Sequence, residues 1–200
     1  RDSRINRIFE GTNEINRLIT VDSTMKKGMK HKIDLFEAAN EVLANLDKLE
    51  SVDQSKGDYY ETKHAYVRNL KKAVLILLPV IQDTFKRKLG FEEEVLMNIS
   101  DMLMNLYLLE STLLRVEKIE KKKLKPDATL YKDILDVFTQ DVTADIYKSG
   151  FDAIGSFAEG EQKATLCNAL HTLTKSYSVN VKEARRRIAG KLIDDGVYKF

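Results

Sequence analysis

The sequence predicts an all-α fold, an up-and-down, four-helix-bundle-like arrangement of about seven helices. Three observations carry this. Apolar residues recur at i, i+3, i+4 and i+7 along nearly the whole chain, the spacing of one helix face. No segment sustains the apolar–polar alternation of a half-buried strand. Two prolines and nine glycines in 200 residues leave little punctuation, which favours long helices over many short strands. No repeat of fixed period appears.

The elements follow in order. Residues 2–9 place Ile5, Ile8 and Phe9 on one helical face and stop at Glu10-Gly11. Thr12 suits an N-cap, its hydroxyl accepting from a backbone N–H one turn on. The helix it opens carries Ile15, Leu18, Ile19 and Met25, with Gly28 near its end. Residues 32–50 present Leu35, Phe36, Ala39, Val42, Leu43, Leu46 and Leu49 on one stripe, and 51–57 is a polar loop. Asp58 followed by Glu61 has capping-box spacing. The helix after it carries Tyr66, Val67, Leu70, Val74, Leu77, Ile81 and Phe85, is kinked by Pro79 and closes at Gly90. Glu92–Glu94 open, and Lys118 with Lys121–Lys123 close, a helix whose seam runs from Leu96 to Val116; both ends complement the helix dipole. After Pro126, Asp127 can cap a helix with Leu130, Ile134, Leu135, Phe138, Val142 and Ile146 inward, ending at Gly150. Residues 151–160, with two glycines, predict a turn or short helix. Two helices remain, 161–174 through Leu166, Leu170 and Leu173, and one capped by Asn180 through Val181, Ala184, Ile188 and Leu192.

Composition excludes several functions. Lys+Arg 33 against Asp+Glu 31 gives a formal charge of +2, without the basic excess of a nucleic-acid coat. The longest apolar run, residues 73–81, is nine residues and contains Pro79, well short of the ~20 a membrane-spanning helix needs. One cysteine, Cys167, excludes an intrachain disulfide and a multi-Cys zinc site and suits a reducing compartment. Glu61 and His64 have the E-x-x-H spacing of di-iron bundles but lack the second copy and the two further glutamates. Cys167 and His171, four apart, supply two ligands only. No metal site is expected. Cys167 reads as a small buried hydrophobe, and Tyr59, Tyr60, Tyr66 and Tyr107 as packing residues. The chain opens on Arg1-Asp2-Ser3-Arg4 rather than Met and has no signal-peptide pattern; it reads as a piece of something longer.

One string carries chemistry: Arg1-Asp2-Ser3-Arg4-Ile5-Asn6-Arg7-Ile8-Phe9-Glu10-Gly11-Thr12-Asn13-Glu14-Ile15-Asn16-Arg17-Leu18. It resembles the end of the catalytic region of acyl-CoA dehydrogenases, where R-D-x-[RK]-I-x-x-I-[YF]-E-G-T-[NS]-x-I-x-R-L recurs. The E-G-T break between two helices is unusual and makes the match specific, although it covers about a tenth of the chain. The resemblance implies that Glu10 is the catalytic base, removing the α-proton of a fatty acyl thioester while the β-hydrogen leaves as hydride to FAD. It implies that Gly11 lies against the substrate and that Thr12, Asn13 and Glu14 face FAD. Relatives that keep their base on another helix have a small residue at this position; Glu10 resembles the majority type.

The chemistry suits the residues. An α-proton beside a thioester is weakly acidic, and a carboxylate desolvated between flavin and acyl chain is better matched to it. A break between helices projects a side chain into a cleft while rigid elements hold it. Gly11 permits close backbone approach, and a helix beginning at Thr12 offers its positive end to an anionic cofactor group. The upstream sequence that builds most of the flavin site and acyl cavity in the family is absent here, and no glycine-rich phosphate loop appears. The isolated chain is therefore expected neither to hold FAD tightly nor to oxidise acyl-CoA.

Residues 1–30 read as the tail of a catalytic helical bundle and residues 31–200 as an appended accessory bundle, expected to fold alone from about His31. An appended domain at this place resembles very-long-chain acyl-CoA dehydrogenases and their long bacterial relatives. It implies a homodimeric parent, long acyl-CoA substrates and an electron-transfer-flavoprotein-like acceptor, cytoplasmic in a bacterium and mitochondrial in a eukaryote. Lys118–Lys125, with Lys26, Lys27, Lys30 and Lys32, could touch an anionic membrane, but lysines ending a helix have a local reason to be there. The alternative to the enzyme reading is a non-catalytic helical interaction module whose opening string is vestigial. Severed from their domain, the first two helices could stick to the bundle, pair between chains or fray.

Overall fold

The computed structural model describes residues 2–53, 55, 57–123, 128–176 and 179–197. Among them are eight α-helices and no strand: α1 (Asn13–Met29), α2 (Leu35–Leu43), α3 (Tyr59–Leu75), α4 (Leu78–Phe85), α5 (Glu93–Lys121), α6 (Thr129–Phe157), α7 (Gly160–Thr174) and α8 (Val181–Asp195). Short 3-10 segments precede α1 (Asp2–Arg7), follow α2 (Leu46–Lys48) and join α4 to α5 (Lys86–Phe91). No described helix is long and apolar enough to cross a membrane.

Side-chain pairs give the directions. His64 and Lys71 of α3 pair with Glu117 and Glu110 of α5, so these helices run antiparallel. Lys132 meets Glu120 at one end of the α5–α6 pair, and Gly150 lies against Met102 at the other. Leu170 of α7 fills the space beside Gly150. Helices α3, α5, α6 and α7 thus form the four-helix bundle, with α1 packed outside on α5 and α8 outside on α6. The α8 contact is polar. Arg187 grips Asp133 with both arms of its guanidinium, at 2.7 and 2.6 Å, a geometry that only arginine supplies. One apolar core runs through the bundle, with Leu70, Leu77, Ile99, Leu113, Leu135, Ile146 and Ile154 fully buried, and Val21 and Met25 of α1 belong to it. Helix α1 therefore adheres to the bundle.

Local chemistry sets the ends. Asp58 and Glu61 make the predicted capping box: Glu61 N–H donates to Asp58 Oδ1 at 2.8 Å and Asp58 N–H to Glu61 Oε2 at 3.0 Å. Asn180 caps α8 through Glu183 N–H. Gly196, at φ +64°, ends that helix in the left-handed region that glycine adopts most easily.

Several expectations are corrected. The opening segment is 3-10 rather than α-helical. Its Ile5, Ile8 and Phe9 are exposed, because nothing in the described chain covers them. Pro79 does more than kink: α3 stops at Leu75 and a separate α4 begins at Leu78, with Pro79 in its first turn, where a missing N–H costs little. Residues 151–157 continue α6 without a turn. Gly155 is solvated in the last turn of α6, and the break falls at Ala158, which leaves the helix in an extended conformation. Cys167 is half-buried rather than buried, and Tyr107 is 71% exposed. The predicted cap Asp127, with Leu124, Lys125 and Pro126, lies outside the described residues.

Gly28 shows where packing overrides helix propensity. A Cβ there would meet Leu35 Cβ and Cδ2 at 2.9 Å, closing the α1–α2 hairpin; at Gly190 it would meet nothing. Gly190→Ala is expected to stabilise the protein by about 0.5–1 kcal/mol, and Gly28→Ala to destabilise it despite the same gain in propensity. Chemical denaturation of both variants checks this, and an equal gain in both would contradict the close packing at Gly28.

Candidate active site

The five predicted site residues, Glu10, Gly11, Thr12, Asn13 and Glu14, form one structural unit, the break between the opening 3-10 segment and α1. Two consecutive residues turn the chain through the left-handed region: Glu10 at φ +59° and Gly11 at φ +92°. Glycine adopts this without strain, whereas a glutamate there is uncommon. Thr12 caps α1 as predicted, its Oγ1 accepting from Ile15 N–H at 3.3 Å. The first-turn amides that follow have no acceptor within the helix and point out of its positive end. Asn13 and Glu14 are exposed on that first turn.

Sequence reading missed the residue that locks this junction. Asn16 Nδ2 donates to Gly11 carbonyl oxygen at 2.9 Å. The same side chain packs so close to Gly11 that a Cβ there would lie 2.8 Å from Asn16 Oδ1. Any side chain at position 11 would both strain the backbone and displace Asn16. The available signal was an amide side chain one turn into the helix, within reach of a carbonyl the helix leaves unpaired. Arg17, from the same motif, has a partner far along the chain: its Nε lies 2.8 Å from Asp101 Oδ1 on α5.

Glu10 is exposed, as are Ile5, Ile8, Phe9, Ile15 and Ile19 around it. Beside α1 a groove of about 490 Å³ runs between Ile15, Leu18, Met25 and Met29 on one wall and Leu89 and Leu96 on the other. The junction is thus a carboxylate on a rigid corner, flanked by uncovered apolar surface. Such surface is characteristic of a face that meets another body.

Away from the corner, several charged groups pair locally. Glu117 is held below the ordinary carboxylate range by its hydrogen bonds with Lys121 and then His64, and Glu120 likewise by Lys132. His64, the histidine of the E-x-x-H spacing, pairs with Glu117, and His171 lies edge-on to Tyr147. No cluster of three or more potential metal ligands occurs among the described residues.

Comparison with known proteins places the fold. The sequence profile of the family described as "Acyl-CoA dehydrogenase, C-terminal domain" matches residues 69–172, just over half of the chain, spanning α4, α5 and α6, the end of α3 and most of α7. The chain belongs to this family. It is 31% identical over 198 residues to the "Probable acyl-CoA dehydrogenase" of Bacillus subtilis (strain 168), covering 99% of this chain and 33% of that protein. The crystal structure of an acyl-CoA dehydrogenase complexed with FAD from Bacillus anthracis superposes with a TM-score of 0.92 at 33% identity, over 100% of this chain and 34% of that one. The chain therefore spans about a third of the length of each of these relatives.

Proposed function

We propose that this chain is the C-terminal portion of a flavin-dependent acyl-CoA dehydrogenase that converts long fatty acyl-CoA thioesters to trans-2-enoyl-CoA, with Glu10 as the α-proton base. The observation that carries the reading is the corner itself. Glu10 projects from a left-handed turn that Gly11 permits, Thr12 caps and Asn16 clamps, and this corner stands in the one string of the sequence that matches the family's catalytic motif. Similarity over the full chain to a structure described as complexed with FAD supports the flavin.

The residues present fit part of a flavin site. The exposed amide end of α1, with Thr12, Asn13 and Glu14 on its first turn, suits a cofactor's polar edge. An enclosing pocket would come from elsewhere in the parent, which accords with uncovered apolar side chains on both sides of the corner. FAD, when bound, accepts the β-hydride. Glu10 takes the α-proton onto a carboxylate oxygen, the C–H electron pair becomes the new C=C bond, and the thioester is left unsaturated. Gly11 keeps the backbone low beside the substrate. Residues 1–30 belong to the catalytic bundle in this reading and 31–200 to the accessory bundle. An electron-transfer-flavoprotein-like acceptor and a homodimeric parent complete the proposal.

The test is anaerobic addition of a saturated long-chain acyl-CoA to the complete flavoprotein. Loss of the oxidised flavin absorbance with formation of the 2-enoyl product is expected. A flavin that stays oxidised with every chain length tried overturns the reading. The 200-residue chain alone is expected to purify colourless and inactive.

A further inference from the structure

The corner that carries Glu10 sits at the less firmly seated end of α1. The buried residues of this helix, Val21, Met25 and Gly28, run from its midpoint to its C-terminal end. The first half is held by half-buried Leu18 and by Arg17, whose Nε contacts Asp101 of α5 at 2.8 Å. Both charged side chains are about one-third exposed, 35% and 31%, so the pair is shielded without being stripped of water. The corner also moves as one body with the helix, because Asn16 bonds it to the first turn.

These facts combine geometrically. Thr12 precedes Val21 by nine residues, about 13 Å along the helix axis. A tilt of about 5° about the buried half would carry the corner about 1 Å, and a misplacement of about 1 Å at a reacting group can cost on the order of 100-fold in rate. Arg17 lies between pivot and corner, so a fixed partner for it suppresses this tilt and sets the rotation of α1 on α5.

We infer that Asp101 is a positioning residue for the base: by holding Arg17 it fixes the place from which Glu10 reaches the substrate. One helix of the accessory bundle then orients the catalytic corner. The inference rests on the proposed role of Glu10.

Two measurements test it. In the complete flavoprotein, Asp101→Ala lowers kcat about tenfold with KM for acyl-CoA, flavin content and thermal midpoint nearly unchanged, and the exchanged pair Arg17→Asp with Asp101→Arg returns kcat to within about threefold of the parent. In the 200-residue chain, Asp101→Ala speeds amide hydrogen exchange in residues 16–20 about tenfold and leaves 24–29 unchanged. An unchanged kcat, an exchanged pair no better than the single variant, or unaltered exchange in residues 16–20 overturns the inference. Failure of the base assignment has a separate signature, turnover retained in Glu10→Gln. Loss of turnover there beside an unchanged kcat in Asp101→Ala sinks the positioning role alone.

Discussion

Glu10→Gln in the complete flavoprotein is expected to lower turnover about a thousandfold while flavin content stays the same, since a positioned general base contributes on the order of 10²–10⁴-fold. The substitution isolates the proton-accepting oxygen. Glutamine has nearly the same volume and reaches the same left-handed backbone at φ +59°. Thr12 and Asn16 hold the corner through contacts that do not involve the side chain of residue 10. The direct readout is exchange of the substrate α-hydrogen with solvent deuterium, which the parent protein is expected to catalyse and the variant is not. Exchange that persists would place the base on another residue and remove the mechanism proposed for this chain.

Asp136→Ala is expected to destabilise the fold by about 3 kcal/mol, the order of cost for leaving a buried charge without its partner. Lys63 lies on the buried face of α3, 7% exposed, with its ammonium 2.7 Å from Asp136 on α6. Tyr59 adds a second tie, its single O–H proton shared between Asp136 Oδ1 at 3.0 Å and the Lys132 carbonyl at 3.1 Å. Burial, and then the neighbouring Asp136 carboxylate, push the Tyr59 phenol well above its ordinary range, so it remains a donor at any physiological pH. The two ends of the pair differ in their access to water. The Asp136 side chain is 25% exposed and can hydrate if the lysine is lost, whereas Lys63 cannot if the aspartate is lost. Lys63→Met is accordingly expected to cost less than about 1 kcal/mol, since the carboxylate left behind is partly hydrated and methionine keeps an apolar stem beside the Tyr59 and Tyr66 rings. Denaturant unfolding of the two variants checks the asymmetry, and equal losses would show that the pair contributes through packing alone.

Much of the fold was legible because helices announce themselves locally. The stripe from Leu96 to Val116 keeps one spacing along most of the 29-residue α5, and its Leu96, Ile99, Leu106, Leu109, Leu113 and Val116 are buried. The Asp58–Glu61 box and the Asn180 cap depend on residues three apart, so spacing alone suffices to find them. The misreadings fall where distant residues decide. Gly150 looked like a stop, yet it is a close-packing site beneath Leu170 and Met102, and the helix runs seven residues further, to Phe157. Leu77 and Pro79 looked like the middle of one helix, but a chain that ends α3 at Leu75 and restarts at Leu78 keeps Ile76, Leu77, Leu78 and Ile81 all buried. No single straight stripe could bury four neighbours so closely spaced.

The candidate site divides the same way. The sequence by itself determined that a carboxylate, a glycine and a capping threonine follow one another between two helical segments, because backbone preference and capping are properties of adjacent residues. It also determined the helical class, through a periodicity that no single substitution erases. Only the tertiary structure decided that Asn16 bridges back to Gly11, that Arg17 of the motif is tied to Asp101 more than eighty residues later, and that Lys63 is buried against Asp136. Such pairings follow from which faces helices turn toward one another, and that is set by the packing of the whole core.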